Sequence, residues 1–156
     1  LPRAEWTPVG PSSYELLYRS GAGLTPRPLR RIASGGELSR VMLASKVVLG
    51  NADGVDTLVF DEVDAGVGGS TARALAGVLA DLAATHQVIV VTHLAQVAVM
   101  ADKHYVVSKE PGDVPQTHLD EVAGDARTAE IARMLSGDQS EASLAHAKQM
   151  LEEARG

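Results

Sequence analysis

Two adjacent carboxylates, Asp61 and Glu62, close a short apolar run, Leu58-Val59-Phe60. The run is too short for a helix and is built from β-formers, so it reads as a buried strand. In open α/β sheets the chemistry sits just beyond the carboxyl ends of the strands. An acid pair there can hold a hydrated magnesium ion and position a water. The same pair can also do no more than stop the strand and cap the next segment, and these residues alone leave both readings open.

A second stretch, Ser34-Gly35-Gly36-Glu37, has capping-box spacing between Ser34 and Glu37, which is a structural explanation for the serine and the glutamate. It does not explain the glycines, each of which costs about 1 kcal/mol against alanine inside a helix. Glycines at the positive end of a helix let backbone amides approach a phosphate, and phosphate contact is the preferred reading. The third stretch is Thr92-His93, which ends the apolar run Val88-Ile89-Val90-Val91. A lone histidine after a strand is more often a cap or a surface residue. One that shares a sheet edge with a carboxylate pair is a stronger candidate.

Periodicity supplies the scaffold around these residues. Leu1 to Ser13, with three prolines, reads as an irregular leading segment, and residues 14–156 as a single lobe. Tyr14 to Arg19 could be a strand with Tyr14, Leu16 and Tyr18 on one face. Gly21, Gly23, Pro26 and Pro28 then mark a loop. A helix is predicted from Glu37 to Leu49 with Leu38, Val41, Met42, Val48 and Leu49 inward, stopped by Gly50 and an Asn51 to Gly54 turn. Ser70 to Thr85 is predicted as a helix capped by Ser70, with Leu75, Val78, Leu79 and Leu82 on its inner face. Two apolar strands flanking that helix make a βαβ unit with a parallel sheet. Asp61, Glu62 and His93 should therefore share one edge. Beyond it come a short helix at Leu94 to Ala101, a strand at Lys103 to Lys109, a turn at Pro111-Gly112-Asp113 and a weaker, edge-type strand at Gln116 to Val122. Two helices close the chain. One runs from Asp125 to Ser136, with Ile131, Met134 and Leu135 inward and Gly137 as its stop. The other runs from Ser140 to Ala154, with Leu144, Ala147 and Leu151 inward.

Composition narrows the class. A net charge of −6 argues against a mainly non-specific nucleic-acid binder. The chain has no cysteine, so disulfides and thiolate metal sites are unavailable. Aromatics are 3% of residues, so the core must be aliphatic. No apolar run approaches the roughly 20 residues that cross a bilayer. Leu1 rather than Met opens the chain, which points to a piece of something longer, of soluble, cytoplasmic origin. His86, His104, His118 and His146 have no metal-ligand spacing and read as solvated or partly packed. Arg27, Arg30, Arg31 and Arg40 could meet DNA or nucleotide, but a solvated basic face is the preferred reading.

Glycine loop, acidic strand end and strand-end histidine, in that order, resemble the C-terminal lobe of an ATP-binding-cassette (ABC) ATPase head. Ala33-Ser34-Gly35-Gly36-Glu37-Leu38-Ser39-Arg40, Phe60-Asp61-Glu62-Val63-Asp64-Ala65-Gly66-Val67-Gly68-Gly69 and Val91-Thr92-His93-Leu94-Ala95-Gln96-Val97-Ala98 narrow it further. They resemble the RecN family, bacterial SMC-like proteins of DNA double-strand-break repair, as does Glu130-Ile131-Ala132-Arg133-Met134-Leu135. Ala95 departs from the family, which more often has proline there, and touches none of the chemistry.

The resemblance implies an α/β fold: a P-loop NTPase-like, parallel-rich sheet with flanking helices, the C-terminal half of an ABC/SMC-type head. It implies ATP and Mg2+ as cofactors and assigns roles by position. Asp61 would hold magnesium through water, Glu62 would polarise the attacking water, and His93 would sense the γ-phosphate. Ser34, Gly35, Gly36 and Glu37 would contact ATP bound to the opposite head. Asp64, counted with the nucleotide-binding residues, would belong to the loop that meets that partner. Implied partners are the N-terminal lobe of the same protein, a second head in a homodimer and, through the full-length protein, DNA; no membrane is implied. The implied location is the cytoplasm, associated with the nucleoid.

The lysine loop of the form Gly-x-x-x-x-Gly-Lys-Ser/Thr is absent, since none of Lys46, Lys103, Lys109 and Lys148 follows a glycine. The chain thus resembles half a head and should bind ATP poorly alone. One rival is a transporter's nucleotide-binding domain, disfavoured by Glu37-Leu38-Ser39-Arg40 and the Gly66 to Gly69 run. Another is a non-catalytic dimerisation module. Glu62 and His93 argue against it, and the absent lysine loop leaves it open.

Overall fold

The computed structural model describes Gly10 and residues 15–31, 34–50, 54–110 and 116–154. Its centre is β3 (Thr57–Phe60), α2 (Gly69–Ala83) and β4 (Gln87–Val90). The two strands pair in parallel, from Thr57 opposite Gln87 to Phe60 opposite Val90. Backbone bonds from Gln87 N to Asp56 O and from Val91 N to Phe60 O extend the ladder at both ends. The helix between them buries Ala72, Leu75, Ala76, Leu79 and Leu82, a stripe at helical spacing. That stripe meets Leu58 and Phe60, the alternate residues of β3 that point the same way, in one apolar cluster with Val63 and Val97.

The other face of this pair is bare among the described residues. Val59 is 66% exposed and Ile89 46%, although a continuous apolar run signals a strand covered on both sides. The parallel pairing is also confined to these two strands among the described residues. The ladders β1 (Leu17–Tyr18) with β2 (Arg27–Pro28) and β5 (His104–Glu110) with β6 (Gln116–Val122) are antiparallel. The strand expected over Tyr14 to Arg19 shortens to β1. Tyr14 lies outside the described residues, and Leu16 and Leu17 are both exposed.

α1 (Gly35–Leu49) begins at Ser34, whose extended backbone and side-chain oxygen, 3.4 Å from the accepted Glu37 N–H, make the expected cap. Gly50 ends it with φ 55°. The expected inward stripe is not the buried one. Gly36 and Leu43 are buried, while Leu38, Met42, Val48 and Leu49 are exposed. Periodicity found an apolar face, but little of it is covered by the described residues. α2 likewise lacks the serine cap expected of Ser70. The cap position is Gly68, with no side-chain bond, and Ser70 lies inside the first turn. The turns expected at Asn51 to Gly54 and Pro111 to Asp113 fall largely or wholly outside the described residues.

α3 (Ala95–Ala98) joins two cores, with Val97 in the sheet cluster and Ala95 and Ala98 in a second one. That second cluster is made by α4 (Gly124–Ser136) and α5 (Glu141–Glu153) around Ile131, Ala132, Ala147 and Leu151. Arg127 of α4 donates from one terminal nitrogen to the carbonyls of Ala98, Val99 and Ala101 at 3.1, 3.2 and 2.6 Å. It satisfies carbonyls that the end of a helix leaves unpaired. Gly137 stops α4 in the left-handed conformation, φ 77°. Asp138 then accepts from the hydroxyls of Ser136, Ser140 and Ser143 and from Ser140 N. His86, expected to be solvated or partly packed, is buried at the end of α2, its Nδ1 2.9 Å from the Thr85 hydroxyl. No helix among the described residues is long and apolar enough to cross a membrane.

Candidate functional site

The acid pair leaves β3 into a tight turn. Asp61 and Glu62 are exposed, and the next two residues, Val63 and Asp64, are buried. Ala65 N donates to Glu62 O at 3.0 Å and Val67 N to Asp64 O at 3.0 Å. Glu62 has φ 55°, the left-handed region that a side chain other than glycine's visits at a cost. Such a conformation persists only where its surroundings over-determine it.

The surroundings here are the first two turns of α1. The Ser39 hydroxyl donates to Asp61 O at 2.6 Å. Arg40 Nη1 donates to Val63 O at 3.2 Å and to Ala65 O at 2.9 Å. A Cβ added at Gly36 would stand 2.8 Å from both Glu62 O and the Ala65 Cβ, and one added at Gly35 would collide with the Glu62 carboxylate. Both glycines thus have a reason that needs no ligand: they let the acid-pair turn lie directly on the helix. The Glu62 carboxylate rests beside the first residue of α1, at the positive end of the helix dipole.

Asp64 organises the other strand end. It is 2% exposed. Its Oδ2 accepts from the Thr92 hydroxyl at 2.5 Å and from His93 N at 3.1 Å, and it lies 3.2 Å from His93 Nδ1. Thr92 Oγ1 in turn accepts from Leu94 N at 3.0 Å. The backbone N–H of His93 thus makes the hydrogen bond, and its ring lies beside the buried carboxylate. The His93 side chain is 70% exposed.

The residues of the candidate site thus fall into two groups. Gly35 and Gly36 meet Glu62 and Ala65, and Asp64 meets Thr92 and His93. Ser34 and Glu37 remain at the cap of α1. Asp64, counted with the nucleotide-binding residues on the loop expected to meet a partner, has a buried carboxylate that accepts from Thr92 and from His93 N. No group of three or more His, Asp or Glu among the described residues could cage a metal ion. A magnesium ion held by one or two carboxylates plus phosphate and water needs no such cage, and the exposed Asp61 fits that requirement. Sequence reading missed Ser39, Arg40 and Thr92. Arg40 is not on the solvated basic face expected of it; Arg30 is at the surface, ion-paired to Glu15 at 2.7 Å. A hydroxyl or guanidinium spent on the carbonyls of a distant turn leaves no periodic signal.

A parallel βαβ unit ending in an acid pair and a tethered histidine, with a glycine-opened helix laid on the first strand's exit, defines the class. It is a mixed α/β lobe of helices and small sheets. No family model matches the chain. DNA repair protein RecN of Treponema pallidum (strain Nichols) is 51% identical over 146 residues, covering 92% of this chain and 26% of that protein. The RecN proteins of Deinococcus radiodurans and Streptomyces coelicolor are 52% and 48% identical, each match covering 95% of this chain and 26% of theirs. The chain belongs to the RecN family, and it spans about a quarter of the length of the curated relatives it matches. A solved structure described as "Structural biochemistry of ATP-driven dimerization and DNA stimulated activation of SMC ATPases" gives a TM-score of 0.48 at 21% identity, covering 86% of this chain and 69% of that one. That likeness is too loose to argue from.

Proposed function

We propose that residues 14–156 form one lobe that supplies half of each composite ATP site in an SMC-like DNA repair ATPase, acting in the cytoplasm at the nucleoid in recombinational double-strand-break repair. The observation that carries this is the pairing of β3 with β4, which sets Asp61-Glu62 and the Asp64-tethered His93 at neighbouring strand ends. Membership of a family whose relatives are described as DNA repair proteins supports it.

In this reading Asp61 would hold Mg2+ through water, Glu62 would orient and polarise the attacking water, and the His93 ring would sense the γ-phosphate. Asp64 acts through His93 and does not touch nucleotide. Ser34, Gly35, Gly36 and Glu37, at the positive end of α1, meet the γ-phosphate of ATP carried by a second head in a homodimer. ATP and Mg2+ supply the phosphoryl group and the charge neutralisation. The protein's share is positioning, which is most of what phosphoryl transfer requires. The phosphate-cradling loop comes from the N-terminal lobe of the same protein, and DNA is met by the full-length molecule.

The test is Glu62→Gln in the full-length protein. Shape is kept and charge removed, so ATP should still bind while turnover falls by about 10²-fold or more, the scale of losing a general base. Wild-type turnover in a folded Glu62→Gln protein would end the assignment. The 156-residue chain alone should bind ATP no tighter than about millimolar, roughly 4 kcal/mol, as calorimetry would show.

A further inference from the structure

Every backbone carbonyl from Asp61 to Ala65 except that of Asp64 is engaged by α1 or lies in contact with it. Asp61 O takes the Ser39 hydroxyl, and Val63 O and Ala65 O share Arg40 Nη1. Glu62 O lies within 2.8 Å of where a Gly36 side chain would begin. The remaining carbonyl, Asp64 O, accepts from Val67 N inside the turn. Arg40 is also 3.1 Å from that same Gly36 position, so its guanidinium fills the corner between the glycine-opened end of the helix and the turn. One cationic donor thus fixes two carbonyls, one on each side of Asp64, in a segment where Glu62 holds a strained φ of 55°. Bonds from a charged donor are the stronger kind.

We propose that Arg40, assisted by Ser39, is a positioning residue for the acid-pair turn. It makes the N-terminus of α1, Glu62 and the Asp64–His93 link a single mechanical unit. What seats at the glycine end of α1 is then felt by the carboxylate that orients water and by the histidine, without any residue of the chain crossing between them. This last step rests on the function proposed above. The clamp itself rests only on the distances.

The experiment uses the full-length protein with Arg40→Met and Arg40→Lys. Hydrogen exchange reads the clamp without reference to catalysis. In Arg40→Met the amides of Ala65 and Val67 should exchange at least about tenfold faster, the scale of losing hydrogen bonds to a charged group, while those of α2 and α4 stay unchanged. Arg40→Lys, whose ammonium can still reach the carbonyls, should restore much of the protection. kcat for ATP should fall by about 10²-fold in Arg40→Met, as for a group displaced by a distant change, with KM altered by less than about threefold. A non-hydrolysable ATP analogue should protect the 61–67 segment in the wild type and fail to do so in Arg40→Met. Unchanged exchange at Ala65 and Val67 would overturn the clamp even if Glu62→Gln behaves as expected. Faster exchange with normal kcat, or a loss confined to KM, would overturn the positioning role. Normal turnover in Glu62→Gln would instead count against the proposed function and leave the exchange result standing by itself.

Discussion

The helical pair and the strand unit solve the same problem differently. α4 and α5 cover each other: Ile131, Ala132 and Ala147 have no exposed surface, and the turn between the helices is closed by Gly137 and the Asp138 cluster. The strand unit covers only one face. α2 shields Leu58 and Phe60, while Val59, Ile89 and Val91 stand exposed, and the groove of about 220 Å3 between α1 and β3 is lined by Leu38, Met42 and Val59. The half that carries the candidate chemistry is the half that is unfinished. It also holds the strained Glu62, whereas no residue of the helical pair other than glycine has a positive φ. The contrast is between a helical end covered by its own residues and a sheet that the described residues cover on one face.

Truncation separates the two halves most sharply. Ile131→Ala empties a fully buried site and should cost about 2–5 kcal/mol, read by denaturant unfolding of the 156-residue chain. Val59→Ala in the same chain should stay within about 0.5 kcal/mol, as exposed substitutions do. In the full-length protein Val59→Ala should become destabilising by about 1 kcal/mol or more if that face is covered there. Equal, small effects of Val59→Ala in both settings would show that the face is solvent-exposed by design, and the comparison would lose its meaning.

Two helix glycines sharpen the contrast at a smaller scale. At Gly36 a methyl group would meet Glu62 O and the Ala65 Cβ at 2.8 Å, both of them fixed, whereas at Gly77 in α2 nothing lies within 4 Å. Gly36→Ala should therefore destabilise by about 1–3 kcal/mol through overpacking. Gly77→Ala should stabilise by up to about 1 kcal/mol through helix propensity. Thermal unfolding of the two variants checks the sign. A neutral Gly36→Ala would mean that the turn can lift off α1, and the close approach would not explain the glycine.

The difference between the halves also explains what was legible beforehand. The strand run Val88-Ile89-Val90, the βαβ order and the two closing helices came through because burial imposes a period on the sequence. The stripe Leu38, Val41, Met42 was visible for the same reason. Its covering was misjudged, because a period marks an apolar face and not the partner that covers it. Ser70 looked like a cap by residue type, but the glycine-rich turn brought the cap position two residues earlier, to Gly68. Asp61, Glu62 and His93 were legible by type and strand position. Ser39 and Arg40 were not, because their partners are main-chain carbonyls 22 to 25 residues away, and any sequence supplies carbonyls.

The smallest expected effect is a pH dependence that belongs to the helical half. Burial, with the charge of Arg127 beside it, holds His104 below its ordinary value, and Glu130 opposes them. The folded state therefore prefers the neutral ring. The unfolded chain binds the extra proton first, so the stability from His104 is complete above about pH 6.5 and is lost as pH falls below it. Asp138 works in a separate window. Its contacts with Ser143, Ser140 and Ser136 lower it to about 2, so its contribution is present above the usual carboxylate range and is lost only as pH drops toward that value. Midpoints measured at about pH 7.5 and about pH 5.5 should differ less in His104→Gln than in the wild-type chain, while Asp138→Asn should leave that difference untouched and flatten only the acid limb. If His104→Gln leaves the near-neutral slope unchanged, the slope arises elsewhere in the chain, and the burial of His104 between the hairpin and α4 carries no pH dependence.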